Sequence, residues 1–219
     1  MSIEAIIYDM DGVLVDSEVY WFNARVQIAE SVGNIWTEDD QRHAMGRSTI
    51  GWAGEMQTRL ALDWALDDII TETKRRVIAQ YEQNMPARPG AIESVHALAK
   101  QYRVALASGS PTDIIQSVMA LTGLDKVFEV VVYGDSIPLG KPHPDIYLAA
   151  CARLGVSPAN AVGIEDSPSG IKSVRAAGMR CIAAPSPAFP LQAEIQALAD
   201  LEIASLENLT LELVRGLEA

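Results

Sequence analysis

What most constrains the fold of this chain is the order in which two kinds of segment occur. From residue 87 onward, short apolar runs alternate with stretches of helical period. The runs are Val104–Ala107, Val130–Val132, Ala161–Ile164 and Cys181–Ala183, each too short for a helix. Helical spacing marks the segments between them: Ile92, Val95, Ala99 and Tyr102; Ile114, Ile115, Val118 and Met119; Ile146–Leu154; and Ser169–Ala177. Such alternation predicts a parallel sheet covered by helices on both faces. One further strand-like run, Ile3–Tyr8, stands far ahead of the others and ends at Asp9-Met10-Asp11-Gly12. Residues 17–86, which follow it, read as nearly all helix. Val19, Phe22, Val26 and Ala29 fall on one helical face behind Ser17 as N-cap, and Thr37–Ala44, Ser48–Leu60 and Leu66–Asn84 continue the pattern. The prediction is an α/β core made of residues 1–16 and 87–219, with a mostly helical tail, interrupted by an all-helical insert over 17–86. The insert leaves from the carboxyl end of the first strand, where open parallel sheets bind ligands, so it is expected to act as a lid.

Composition narrows the function. Of 219 residues, 49% are apolar and 21% charged, as in ordinary globular domains, and the net charge is −12. An acidic chain gains no general attraction to phosphate backbones or anionic lipid, which excludes broad nucleic-acid or membrane-surface binding. No window approaches the ~18 consecutive apolar residues of a membrane span. Met1-Ser2-Ile3-Glu4 lacks the basic start of a secretory signal, and Cys151 and Cys181 are too far apart for a disulfide framework or zinc site. A cytoplasmic protein with reduced thiols is expected. With no apolar stripe demanding a partner, it is expected to be a monomer.

Four stretches lie at predicted strand ends or in the loops beyond them: Asp9-Met10-Asp11-Gly12, Ser108-Gly109-Ser110, Lys141-Pro142 and Glu165-Asp166-Ser167. A parallel sheet brings such ends to one edge. Asp9, Asp11, Glu165 and Asp166 would then place four carboxylates in one cleft, an arrangement that repulsion disfavours. A hard divalent cation with oxygen ligands resolves it, and few carboxylates plus retained water suit Mg²⁺. Lys141 adds positive charge and Ser108 a hydroxyl. Backbone N–H groups from Gly109 onward lead into a helix that Pro111 is suited to open, a natural phosphate seat. These groups together suit a phosphoryl group. With the charge shielded, Asp9 can attack phosphorus to give an aspartyl-phosphate, and Asp11 can protonate the leaving oxygen and later activate water.

Blander readings explain less. An EF-hand calcium loop needs oxygen ligands at its fifth and twelfth positions, which counted from Asp9 are Val13 and Tyr20. A glycosyltransferase Asp-x-Asp would leave Ser108, Lys141 and Glu165-Asp166 without a task. His43, His96 and His143 are scattered, with His143 between two prolines and suited to a turn. Trp52, Met56 and Trp64 read as packing of the insert. Gly46-Arg47-Ser48 reads as a turn and N-cap, with Arg47 also a candidate contact to a sugar or second anion. Glu18, just inside the insert, is a second candidate substrate contact.

The four stretches, in this order, resemble the haloacid dehalogenase superfamily over essentially the whole chain. Asp9-Met10-Asp11-Gly12-Val13-Leu14-Val15-Asp16-Ser17-Glu18 is similar to its first motif, Ser108 to its second, Lys141 to its third and Glu165-Asp166 to its fourth. The resemblance implies a Rossmann-like core with a helical cap domain, Asp9 as nucleophile and Asp11 as general acid/base. It further implies Mg²⁺ held by Asp9, the Asp11 carbonyl and Asp166, with Glu165 a supporting or direct ligand, and Ser108, Gly109 and Lys141 around the phosphoryl group. The carboxylate at Asp11 favours phosphate esters over carbon–halogen bonds. Within the superfamily, the sequence resembles the sugar-phosphatase and β-phosphoglucomutase-like group. Its mutases carry a cap histidine where this chain has Trp21, which puts a small phosphorylated metabolite, of sugar-phosphate type, ahead as a phosphatase substrate. A phosphomutase and a non-catalytic binding module on the same scaffold are the alternatives.

Overall fold

A computed structural model describes residues 2–45, 47–187 and 189–218. The chain divides into two compact units, Met1–Asp16 with Pro86–Ala219, and Ser17–Met85. Pro86 groups with the first unit because its carbonyl accepts from the Asp16 N–H at 2.9 Å.

In the first unit, β1 (Ala5–Tyr8) is wholly buried and opens the sheet. The inserted unit follows with α1 (Glu18–Ser31), α2 (Glu38–Ala44), α3 (Thr49–Arg59) and α4 (Leu66–Gln83). The first unit then resumes with α5 (Ala91–Leu98), β2 (Arg103–Ser108), α6 (Thr112–Thr122), β3 (Val130–Tyr133), α7 (Asp145–Leu154), β4 (Ala161–Glu165), α8 (Pro168–Ala176) and β5 (Arg180–Ala183). The chain closes with α9 (Ala193–Gln196), β6 (Leu201–Glu202) and α10 (Leu211–Gly216). All strands are parallel, in the order β3-β2-β1-β4-β5-β6. Side chains of one parity, including Ile7, Ala105, Ala107, Val132 and Cys181, form one buried cluster with Tyr147, Ala150 and Leu154 of α7 and Ile171 and Val174 of α8. The opposite parity, Ile6, Tyr8, Leu106, Val162 and Ile164, is equally inaccessible. Both faces are therefore covered, which is why these strands read as continuous apolar runs rather than as alternation.

The expected tail is corrected. It is not mostly helical: β6 adds a sixth strand, with Ile182 and Ala183 opposite Leu201 and Glu202. Two residues are too short to carry a period, so sequence spacing cannot mark such an edge strand.

Within the inserted unit, α2 is fixed by a capping box in which Thr37 and Asp40 satisfy each other's backbone N–H groups. Ser48 caps α3 by accepting from Gly51 N–H at 3.2 Å. Ser17 is not a side-chain cap for α1: its backbone is already helical, at φ −81° and ψ −20°. The buried face of α1 matches the expected one only in part: Ala29 is buried, but Phe22 and Val26 are only half-buried. Trp21, Ala24, Arg25 and Ile28 face inward while Val19 is 56% exposed. Arg25 displaces the simple apolar pattern because its guanidinium lies 5.4 Å from the Trp21 ring and 5.3 Å from the Trp52 ring, and its Nη1 donates to Gln41 Oε1 at 2.8 Å. Trp52 and Met56 are core residues of this unit, as their spacing suggests. Gly46 lies outside the described residues. Among the described residues, no helix is long and apolar enough to cross a membrane.

Candidate active site

Parallel strands deliver their carboxyl ends to one edge, and the predicted residues of the first unit meet there. Asp9 directly follows β1, Ser108 ends β2, Glu165 ends β4, and Lys141 lies in the loop beyond β3. The Lys141 ammonium stands 2.7 Å from Asp9 Oδ1 and 2.6 Å from Glu165 Oε1. Asp9, Glu165 and Asp166 each bring a carboxylate oxygen within 4.8 Å of the others. On the other side of Asp9, Asp11 Oδ2 accepts from Ser110 Oγ at 2.7 Å and from Ser108 Oγ at 3.3 Å. The Ser108 hydroxyl also accepts from the Ser110 N–H at 3.1 Å, so that N–H is already engaged.

The electrostatics follow from crowding. Burial raises the Asp9 carboxyl above the usual carboxylate range; Lys141 opposes this, while Glu165 and Asp11 add to it. Desolvation does the same to Asp166, reinforced by Glu165 and Asp9. For Lys141, burial disfavours the ammonium, but Asp9 and Glu165 outweigh it and hold the amine charged above its usual range. Three carboxylates therefore share one lysine, and the excess negative charge fits a hard cation with oxygen donors.

Glu165 is fully buried, and both of its oxygens are occupied. Oε1 accepts from Lys141 and from the Tyr147 hydroxyl at 2.7 Å. Oε2 accepts from the N–H groups of Asp166 at 3.1 Å and Ser167 at 3.3 Å, and from Ser167 Oγ at 3.2 Å. Ser167 then caps α8 by accepting from Gly170 N–H at 3.1 Å, with Pro168 at the first helical position.

Space for Glu165 is made by Gly170: a Cβ there would lie 1.9 Å from the carboxylate carbon. Gly170→Ala is expected to cost about 1–3 kcal/mol of stability through overpacking and to lower turnover by displacing Glu165 and Lys141. Chemical denaturation paired with a turnover assay checks this, and a variant equal to wild type in both would contradict it. Gly12, at φ +77°, is needed both for its conformation and for contact, since a Cβ there would lie 1.9 Å from Asp166 Oδ2.

The other expectations fall as follows. Pro111 sits one residue outside α6, at its N-cap rather than in its first turn. The Thr112 N–H and hydroxyl go to the Asp135 carboxylate at 3.0 and 2.7 Å, which also occupies part of that helix terminus. Gly109 is exposed, and open space lies where its side chain would be. His143 belongs to a turn: its N–H donates to Gly140 O, and its carbonyl accepts from Ser173 Oγ. Glu18 and Arg47 lie in the inserted unit. There Glu18 accepts from Gln41 Nε2, while Arg47 is exposed, donating to His43 O at 2.6 Å and lying 3.4 Å from Glu55. Tyr147 and Ser110 carry site contacts that spacing does not announce. Tyr147 reads as one more apolar position of α7, whereas the Ser-Gly-Ser run contained a usable hint for Ser110.

This fold with this edge of acidic, hydroxyl and amine groups defines a class. The chain belongs to the haloacid dehalogenase-like hydrolases, whose family model matches residues 3–178. It is 36% identical over 182 residues to the phosphorylated carbohydrates phosphatase of Thermotoga maritima, covering 82% of this chain and 83% of that protein. It is 34% identical over 217 residues to hexitol phosphatase B of Escherichia coli K12, covering 95% of both. Among solved structures, CbbY from Rhodobacter sphaeroides in complex with phosphate superposes with a TM-score of 0.84 at 26% identity, over 94% of this chain and 96% of that one.

Proposed function

We propose that this protein is a Mg²⁺-dependent phosphatase that hydrolyses a small phosphorylated metabolite of sugar-phosphate type through an aspartyl-phosphate on Asp9. The observation that carries the reading is the Asp9 carboxylate, held 2.7 Å from Lys141 and within 4.8 Å of Glu165 and Asp166 oxygens at the sheet's carboxyl edge. Family membership and the phosphatase names of the two relatives support it.

Asp9, Asp166 and the Asp11 carbonyl would hold the metal, with Glu165 supporting them, because both of its oxygens are already hydrogen-bonded. When bound, the metal supplies positive charge that lets an anionic carboxylate approach a phosphate dianion. Asp9 attacks phosphorus as the ester P–O bond breaks, and Asp11 gives its proton to the departing alkoxide. Asp11 Oδ2 accepts from the Ser110 and Ser108 hydroxyls, which fix the carboxyl group beside Asp9. Water then attacks the same phosphorus, Asp11 takes up the proton, and Asp9 is released with inorganic phosphate. Lys141, Ser108 and the N–H of Gly109 hold the phosphoryl oxygens as charge moves. Residues 17–85 act as the cap, with Glu18 and Arg47 as its candidate substrate contacts. α1 contains no histidine, which supports hydrolysis over phosphoryl transfer between sugar positions.

The test is phosphate release from hexitol, hexose and pentulose phosphates and from an aryl phosphate, with and without Mg²⁺. Mg²⁺-dependent release is expected, with at least one sugar or sugar-alcohol phosphate preferred over the aryl ester by about tenfold or more in kcat/KM. No release across the panel, or release indifferent to Mg²⁺, would overturn the proposal. Isomerisation of a sugar phosphate primed by its bisphosphate would reassign it as a mutase.

A further inference from the structure

Pro86-Ala87-Arg88-Pro89-Gly90 reads in the sequence as punctuation between two rhythms, yet Arg88 sits inside it with a task of its own. The backbone over 86–88 runs antiparallel to 14–16. Asp16 N–H donates to Pro86 O at 2.9 Å, Arg88 N–H donates to Leu14 O at 2.9 Å, and Val15 bridges to Ala87. This pairing carries the Arg88 side chain to the turn that follows Asp11. Its Nη1 donates to the Gly12 carbonyl and to the Ala184 carbonyl, the latter at 2.9 Å, and its Nη2 lies 3.3 Å from the Pro185 carbonyl. A planar guanidinium with several fixed donors can hold such a set at once, whereas an ammonium cannot match its directions.

The two segments so joined belong to the loops after β1 and β5, and β4 lies between those strands in the sheet. Both segments touch the end of β4. Gly12 packs its α-carbon against the Asp166 carboxylate so closely that no Cβ would fit, and the Ala184 N–H donates to the Glu165 carbonyl at 2.7 Å. The guanidinium is therefore a tie across the strand end that presents Glu165 and Asp166.

We propose that Arg88 is a positioning residue. It clamps the β1 and β5 loops over the end of β4, and thereby sets the spacing of Asp9, Asp11 and Asp166 for metal binding. This rests on the metal-centre reading given above. Arg88 offers no ligand atom itself, so its loss loosens the ligand set without removing a member. The effect falls on metal affinity first and on turnover through it.

The experiment compares wild type with Arg88→Ala and Arg88→Lys by calorimetric titration with Mg²⁺, alongside circular dichroism and steady-state kinetics over a range of Mg²⁺. Arg88→Ala is expected to weaken Mg²⁺ binding about 10–100-fold, the range for groups that orient metal ligands. Its activity should recover towards wild type as Mg²⁺ is raised. Arg88→Lys should recover only part of the affinity. Arg88 lines a cavity of about 420 Å³ together with Asp16, Ser205 and Glu207, so a small guanidinium can reach the vacated place. Millimolar ethylguanidinium should tighten Mg²⁺ binding in Arg88→Ala and leave wild type unchanged. Wild-type Mg²⁺ affinity in Arg88→Ala would overturn the proposal. If that variant does not fold, Arg88→Lys decides: weakened binding supports the clamp and unchanged binding overturns it. A wild type that binds Mg²⁺ but hydrolyses no phosphate ester would refute the phosphatase reading while leaving the calorimetric comparison intact. A wild type that binds no Mg²⁺ would end both.

Discussion

Asp9→Asn is expected to abolish phosphate release, by roughly four orders of magnitude or more, in a protein that remains folded. A carboxamide has nearly the shape of a carboxylate but cannot form the acyl phosphate at a useful rate, so the covalent step is lost rather than slowed. The fold has reasons to tolerate the change. Lys141 keeps its pairing with Glu165 at 2.6 Å, and the crowded edge loses one of the negative charges that burial already penalises there. The melting temperature should accordingly hold or rise slightly. Phosphate release against a preferred substrate, together with thermal unfolding by circular dichroism, checks both halves. Turnover within about tenfold of wild type would remove Asp9 from the role of nucleophile, because groups that act as a unit with the reacting atoms are not replaced so cheaply.

Lys141→Met is expected to damage stability and catalysis together, which separates it from Asp9→Asn. The lysine side chain is only 11% exposed and answers two carboxylates at once. Removing it leaves Asp9 and the fully buried Glu165 without their cation. Breaking a buried charged set from one side costs about 3–5 kcal/mol. The same amine is the fixed positive group beside the transferring phosphoryl, and its loss should lower kcat/KM by about 10²–10³-fold or more. Denaturant unfolding without Mg²⁺ measures the first effect and kinetics at saturating Mg²⁺ the second. A variant as stable and as active as wild type would mean that the Asp9–Lys141–Glu165 triad is incidental.

Much of the core was legible in the sequence for a physical reason. Strands buried on both faces must be apolar throughout, so Ala5–Tyr8 and Ala161–Glu165 announce themselves, and polar residues can appear only where such strands end. Asp9, Ser108 and Glu165-Asp166 stand at those ends. Less legible were elements governed by contacts rather than by period. The two-residue β6 is defined by its pairing with β5 and is too short to show a period of its own. The inward face of α1 is set by Arg25 between two tryptophan rings, which no apolar count anticipates. Ser17 looks like a cap by residue type, but its backbone has already turned helical.

The chain's own order of residues determined the parallel core, the helical insert after the first strand, and the identity of the groups placed at the strand ends. Those follow from burial and chain connectivity, which act locally along the polypeptide. Only the tertiary structure decided who touches whom. Glu165 is saturated by Lys141, Tyr147 and the α8 turn, Asp11 is held by Ser110, and Arg88 closes over β4 from a stretch that reads as a linker. Such contacts join residues far apart in sequence, and their distances and directions arise only when the strands stack and their loops meet.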